Sequence, residues 1–395
     1  MRPRPGLFAS ESPASECHNA VDRTHEPHAA LTHMILSELT VRDLRCIEQS
    51  ELSLHPGRNL IWGGNGSGKT SLLEGIFLLG RGRSFRTRNS ERLVRHGQER
   101  LTVFGRTEST GAEAGGVVHA VGVEVHRKEG TRARVDAAAV GSLADLSRVF
   151  PVQVIDPEIH KVIEEGGRRR RRWLDWAVFH VEPQFADWWL RYGRAVRQRN
   201  AALRERNGGT RPWDMEVAAL GERISEARRR VVEQMQPYWR EVVAGLDCPV
   251  GELQYFRGWG AQHSLAEALE AARARDELRG LTHSGPHRAD LVIRVGGKLA
   301  REVLSRGQQK LMAVALTLAQ LRLLKEASGT TPTLLLDDPA AELDAAHLGH
   351  FVRQIALLEC QLVITSLQPE TPAFGTPDRV FHVEQGRVGR YNALS

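Results

Sequence analysis

The stretch Gly63-Gly64-Asn65-Gly66-Ser67-Gly68-Lys69-Thr70 fits the pattern G-x-x-x-x-G-K-[ST] at every required position. Immediately before it, Asn59-Leu60-Ile61-Trp62 reads as a short buried strand, and after it Leu72, Leu73, Ile76 and Phe77 recur at helical spacing. A strand, a glycine loop and a helix start, in that order, form the setting in which this pattern holds phosphate. Glycines let backbone N–H groups turn toward an anion, and the helix N-terminus adds its partial positive charge. Lys69 has the reach for β- and γ-phosphates, and the Thr70 hydroxyl is an oxygen ligand for Mg²⁺. All eight residues are therefore expected to contact a nucleoside triphosphate.

A phosphate loop needs an acid-bearing strand as its partner. Thr333-Leu334-Leu335-Leu336 is an apolar strand that ends in Asp337-Asp338. Asp337 is expected in the Mg²⁺ shell, and Asp338 is placed to orient the attacking water as general base.

The chain has 395 residues, 26% charged and 41% hydrophobic, an ordinary globular balance with net charge +6. Of its 54 basic residues only six are lysines. Arginine forks match phosphate oxygens, which suits a nucleic-acid partner, although a GC-rich genome also inflates arginine usage. Cys17, Cys46, Cys248 and Cys360 are scattered without a C-x-x-C pair, the pattern of reduced thiols in a cytoplasmic protein. The longest apolar run, Leu311 to Leu321, is too short to span a bilayer, and no signal peptide is visible, so no membrane role is expected.

Residues 1–33 lack hydrophobic period and are expected to be disordered; the irregular spacing of His18, His25, His28 and His33 speaks against a metal site. Strand patterns begin at Met34 and continue to Phe150–Ile155, interrupted by the loop, its helix and a basic segment, Arg81 to Arg88. Residues 34–160 are thus read as the first half of an α/β ATPase lobe. Residues 161–281 read as a helical arm. Five arginines, Arg168 to Arg172, lead into a helix with Phe185, Tyr192, Ala195 and Arg199 on its seam and Arg191 and Arg194 projecting outward. Asn207-Gly208-Gly209 breaks it, a second helix ends at Pro237, and a third spans Ser264 to Arg279. Residues 282–395 return to an α/β pattern and complete the lobe.

Ser305-Arg306-Gly307-Gln308-Gln309 resembles the signature motif of the ATP-binding-cassette superfamily. The order of phosphate loop, signature, acid pair and Glu342-Leu343-Asp344, similar to the superfamily's dimer-contacting segment, strengthens the resemblance. It implies a mixed sheet with flanking helices. It also implies a head-to-tail, ATP-dependent homodimer in which Ser305, Gly307 and Gln308 of one chain complete the ATP site of the other. Gln153 is similar in position to the superfamily's metal-sensing glutamine, with a catalytic and a metal role implied. Thr365 stands where many members carry a switch histidine, which implies slow hydrolysis.

Within the superfamily, Gly82-Arg83-Ser84-Phe85-Arg86, Arg171-Arg172-Trp173-Leu174-Asp175-Trp176, Gln198-Arg199-Asn200-Ala201-Ala202-Leu203 and Gly285-Pro286-His287-Arg288-Ala289-Asp290-Leu291 resemble the RecF family of bacterial recombination mediators along residues 34–395. The resemblance implies an ATP-controlled clamp of DNA repair and replication that binds duplex DNA near single-strand gaps and duplex junctions. It also implies RecR as partner and, indirectly, RecA and single-strand-binding protein. Arg83, Arg86, Arg191 and Arg194 are the candidate DNA contacts. The rival reading is a cassette-type ATPase subunit of a nuclease or defence system, which would need an appended nuclease domain or a docking site on a long arm.

Overall fold

The computed structural model of the chain describes residues 32–110, 116–205 and 210–390. It opens with β1 (Thr32–Leu44), β2 (Ile47–Ser53) and β3 (Arg58–Trp62), followed by α1 (Lys69–Arg81). A meander of β4 (Arg100–Thr110), β5 (Val118–His126), β6 (Gly130–Val135) and β7 (Ala138–Ala139) leads to α2 (Leu143–Val149) and β8 (Val152–Ile155). Then come α3 (Lys161–Glu164), α4 (Gly167–Val181), α5 (Phe185–Glu205), α6 (Arg211–Gly245), β9 (Glu252–Phe256), α7 (Leu265–Ala271) and α8 (Arg273–Arg279). The chain returns through β10 (Asp290–Val295), β11 (Lys298–Leu299), α9 (Ala300–Val303), α10 (Arg306–Ser328), β12 (Thr330–Thr331) and β13 (Thr333–Leu336). It closes with α11 (Pro339–Glu342), α12 (Ala345–Ala356), β14 (Leu362–Ser366), β15 (Arg379–Glu384) and β16 (Arg387–Arg390).

Two sheets enclose α1. One has the order β16-β15-β3-β14-β13-β8, and its strand β3 is parallel to both neighbours, Leu60 pairing with Ile364 on one side and Val380 on the other. The other runs β12-β1-β4-β5-β6-β7, with β2 also on β1. Leu72, Leu73 and Ile76 of α1 pack between Val41, Leu101 and Val103 from the second sheet and Val363 and Phe381 from the first. A helix buried between two sheets must be apolar nearly all round, as α1 is.

The expected disorder falls mostly on residues outside those described, as does the Asn207-Gly208-Gly209 break. The first strand, however, begins ahead of Met34: Thr32 pairs with Thr330 and His33 with Thr331.

Residues 161–281 are not helical throughout. Strand β9 pairs antiparallel with β10, Leu253 opposite Ile293. The helix expected to end at Pro237 runs on to Gly245. Proline removes one helical hydrogen bond and costs about 3 kcal/mol in a helix interior. Burial of Trp239, Val242, Val243 and Leu246 just beyond offsets it, since each such side chain contributes roughly 1.5–3 kcal/mol. These residues join the core cluster that also holds Leu316 and Leu323 of α10, so α6 is packed against the second half of the nucleotide-binding sheet. The helix expected over Ser264–Arg279 is two short helices meeting at Ala272. Asp276, on the second of them, is buried against Arg199.

The arginine run divides by helical phase. Arg170 faces inward and forks onto Asp290 with two bonds of 2.8 Å, and Arg171 Nη1 donates to the Ala289 carbonyl at 2.5 Å. Arg169 and Arg172, three apart, share another face with Trp173 and Trp176.

Candidate functional site

Strand β3 delivers the chain into the phosphate loop through backbone that only glycine tolerates. Gly63 has φ +158° and Gly68 φ +117°. A Cβ on Gly63 would lie 2.2 Å from the Val383 carbonyl oxygen of β15. The turn after β15 holds the loop from outside, Gly386 N donating to Ser67 O at 2.8 Å. Lys69 opens α1, and its Nζ donates to Gly63 O at 2.7 Å and Gly64 O at 2.9 Å. Burial lowers the Lys69 ammonium from its ordinary value, while Asp338 and then Asp337 pull it back up.

The acids arrive from β13. Asp337 N donates to Ile155 O of the neighbouring β8 at 3.0 Å, which fixes the strand end. Oδ1 of Asp337 accepts two hydroxyls, Thr70 at 3.0 Å and Thr365 at 2.9 Å. Thr365 in turn accepts the Asp338 backbone N–H at 2.9 Å. Asp338 itself adopts a left-handed conformation, φ +49°, at the start of α11. Burial raises its carboxyl pKa, Lys69 opposes the rise, and Asp337 adds to it. The hydroxyl of Thr70 and the carboxylate of Asp337, both hard oxygen donors on facing elements, fit an ion such as Mg²⁺.

Gln153 does not belong to this group. It is the second residue of β8, opposite Leu334 rather than Asp337, and its Nε2 donates to Gln320 Oε1 at 3.0 Å in the interior. The residue that β8 presents at its end is Asp156, which lines one cleft of about 510 Å³ with Thr70, Asp337, Arg45 and Arg86. Burial pushes the Asp156 carboxyl up to about 6; Arg169 counters the rise and Asp337 reinforces it. The sequence does carry a signal for Asp156, an acid directly after the last apolar residue of a strand. A second residue missed by sequence reasoning is Glu74, fully buried in α1. It accepts Arg45 Nη2 at 2.9 Å and the Ser84 hydroxyl, and so pins the basic segment to the loop helix.

Ser305 caps α10 in a reciprocal box with Gln308, N to Oε1 at 3.0 Å and Oγ from N at 3.3 Å. Ser305, Gly307 and Gln308 are exposed, and none of them lines the Thr70–Asp337 cleft. Arg83 and Arg86 line a second, larger cleft beside it. Arg191 is paired with Asp187 at 3.7 Å and Glu216 at 3.5 Å, and neither it nor the exposed Arg194 reaches that cleft. Glu342 closes α11, and Asp344 caps α12 through His347 N at 2.9 Å.

The family model described as the RecF/RecN/SMC N terminal domain matches residues 35–389. The DNA replication and repair protein RecF of Shewanella baltica (strain OS223) is 37% identical over 367 residues, which cover 90% of this chain and 99% of the relative. The chain belongs to the RecF family. A solved structure of the recombination mediator protein RecF with ATP, of the RecFOR pathway, covers 93% of this chain and 100% of its own, with a TM-score of 0.81 and 26% identity. The Smc head bound to the C-terminal winged-helix domain of ScpA shares the fold alone, at 14% identity and TM-score 0.54 over 89% of this chain and 95% of its own. The RecF fold is therefore an ATP-binding-cassette type P-loop α/β fold, with a mixed sheet and flanking helices. Among the described residues, no helix of this RecF-family chain is long and apolar enough to cross a membrane, and no group of three or more His, Cys, Asp and Glu could hold a metal ion.

Proposed function

We propose that this chain is an ATP-dependent DNA-binding clamp of recombinational repair and replication-fork maintenance, acting in the cytoplasm. The observation that carries the reading is similarity to a DNA replication and repair protein along 99% of that relative's length. ATP is held by the backbone of Gly63–Gly68 and by Lys69. Thr70 and Asp337 would hold Mg²⁺, which when bound neutralises charge between the β- and γ-phosphates. Asp338, close enough to Lys69 for each to shift the other's pKa, orients the attacking water. With Thr365 in place of a histidine, turnover is slow, and hydrolysis serves to reset the clamp.

Exposure of Ser305, Gly307 and Gln308 away from their own chain's cleft supports a head-to-tail dimer in which they complete the partner's site. Closing two heads joins basic surfaces that include Arg83, Arg86 and Arg194 into one groove for duplex DNA beside single-strand gaps. RecR, and through it RecA on strands coated by single-strand-binding protein, are the partners that follow from this role. Residues 34–160 and 282–395 act as the ATPase lobe, and 161–281 as the arm. The test compares wild type with Ser305→Arg, with and without ATP, using light scattering for the dimer and fluorescence anisotropy for a gapped duplex. Wild type should dimerise and bind DNA more tightly with ATP, while the variant binds ATP as a monomer. Equal dimerisation of the two, or DNA affinity indifferent to ATP, overturns the reading.

A further inference from the structure

Beside the nucleotide cleft, and sharing Phe85–Thr87 and Asp156 with it as a common wall, lies the second cleft, of about 550 Å³. Arg81, Arg83 and Arg88 line it from the end of α1 and the segment that follows. Arg169 and Arg172 line it from one face of α4. Among the described residues, Arg169 alone of these five has a carboxylate in ion-pair contact, Glu165 at 3.0 Å. Burial, then the neighbouring Arg168, Arg83, Arg88 and Arg169, pull the Arg172 guanidinium below the ordinary arginine range. Arginine nevertheless stays charged in proteins, so the five cations stand together in mutual repulsion.

Three of the lining side chains also carry polar atoms that are closed off from the cleft's solvent. Nη1 of Arg81 and the indole Nε1 atoms of Trp173 and Trp176 are buried without a hydrogen-bond acceptor, and Trp176 is only 5% exposed. Four arginines without a carboxylate partner, gathered in one cleft, require an explanation. An acceptor-rich anion supplies one, because it answers the charge with forked, charge-assisted hydrogen bonds. The volume lies within the range of small-molecule sites, which excludes a duplex from the interior.

We propose that this cleft is a second anion site, separate from the phosphate loop, that takes one nucleotide-sized phosphate ester. Arg172, Arg83 and Arg88 grip the phosphate, and the aromatic lining of Phe85 and Trp173 receives the ring. The ester has two sources with the same chemistry, a free nucleotide or an unpaired nucleotide of a DNA strand. Only the second rests on the DNA-binding reading above. The common wall gives occupancy a route to the nucleotide cleft, since Asp156 and Arg86 face both.

The test uses the full chain saturated with ATP and Mg²⁺, so that the phosphate loop is already filled. Thymidine monophosphate is titrated by calorimetry, and blunt duplex is compared with duplex carrying a short unpaired thymidylate overhang by fluorescence anisotropy. The chains are wild type, Arg172→Glu and Arg172→Lys, with ATP binding as the check that each is folded. Wild type should bind one monophosphate per chain, prefer the overhang over the blunt end, or do both. Arg172→Glu should lose that binding by about tenfold or more, the scale of one charge-assisted contact, and Arg172→Lys should keep most of it. Monophosphate binding without overhang preference identifies the free nucleotide, and the reverse identifies the strand. If wild type shows neither, or Arg172→Glu matches wild type, the inference is wrong. Binding of the blunt duplex with ATP reports separately on the proposed clamp.

Discussion

The hydroxyl of Thr365 lies 2.9 Å from Oδ1 of Asp337 and at the same distance accepts the backbone N–H of Asp338, so one buried side chain ties both acids to β14. Thr365→Val keeps the shape and removes the acceptor, leaving a partly buried N–H unpaired. A loss of about 1–3 kcal/mol is expected in urea denaturation, with Thr365→Ser restoring most of it. A valine variant as stable as wild type would mean that the tie contributes nothing.

The two charged residues nearest the loop should separate binding from chemistry. Lys69→Ala should abolish useful ATP affinity in a filter or fluorescence assay, because no other lysine lies in the loop. Asp338→Asn should retain ATP and lower the turnover rate by about 10²-fold or more, the scale of a lost general base. Turnover at the wild-type rate would place the base elsewhere.

Arg199 is fully buried on α5 and bonds Asp214 at 2.6 Å, Asp276 at 2.7 Å and Thr282 at 3.0 Å. Arg199→Ala takes the guanidinium away from the equally buried Asp276 carboxylate, leaving it only His283 at 2.8 Å, and a stability loss of about 3–5 kcal/mol is expected by chemical denaturation. The double variant Arg199→Met/Asp276→Leu should recover a large part of that loss, since it removes the charge the single variant leaves behind.

Two half-buried histidines make the fold sensitive to acid. Burial, then Arg81 and Arg148, hold His180 down to about 3; burial takes His287 to about 4, against a raising bond to the Thr282 carbonyl. In the unfolded chain both take protons near 6.5, so stability is complete above that pH and is lost as pH falls toward the folded values. At pH 5 each should contribute a loss of about 2 kcal/mol relative to pH 7.5. His180→Phe should flatten this dependence by about half in paired urea titrations, and an unchanged slope would remove His180 as a cause.

What could be read from the sequence was whatever depends on neighbours in the chain. The phosphate loop and the apolar strand ending in Asp337-Asp338 are local patterns, and each occupies the expected element. What could not be read depends on partners far away. Arg170 and Arg172 are two residues apart in a run of one letter, yet one is buried on Asp290 and the other lines an arginine cleft. The helix continues past Pro237 because core side chains from α10 wait beyond it, which local propensity does not register. Gln153, similar in position to the superfamily's metal-sensing glutamine, lies within β8, and the residue that β8 presents at its end is Asp156. Only the register between Leu336 and Ile155 distinguishes the two.

The register of β3 also bears on how the protein is made. Leu60 finds its partners in Ile364 and Val380, so the strand that carries the phosphate loop is synthesised early and paired last. Pairings across so much chain are slow to form. Until β14 and β15 leave the ribosome, the loop has no strand on either side of β3 and no Thr365 behind its acids. A nascent or prematurely ended chain would therefore display the GGNGSGKT letters without the site, and could not draw on the cell's ATP or compete with finished molecules. Completion of translation acts, in this topology, as the first licence to bind nucleotide.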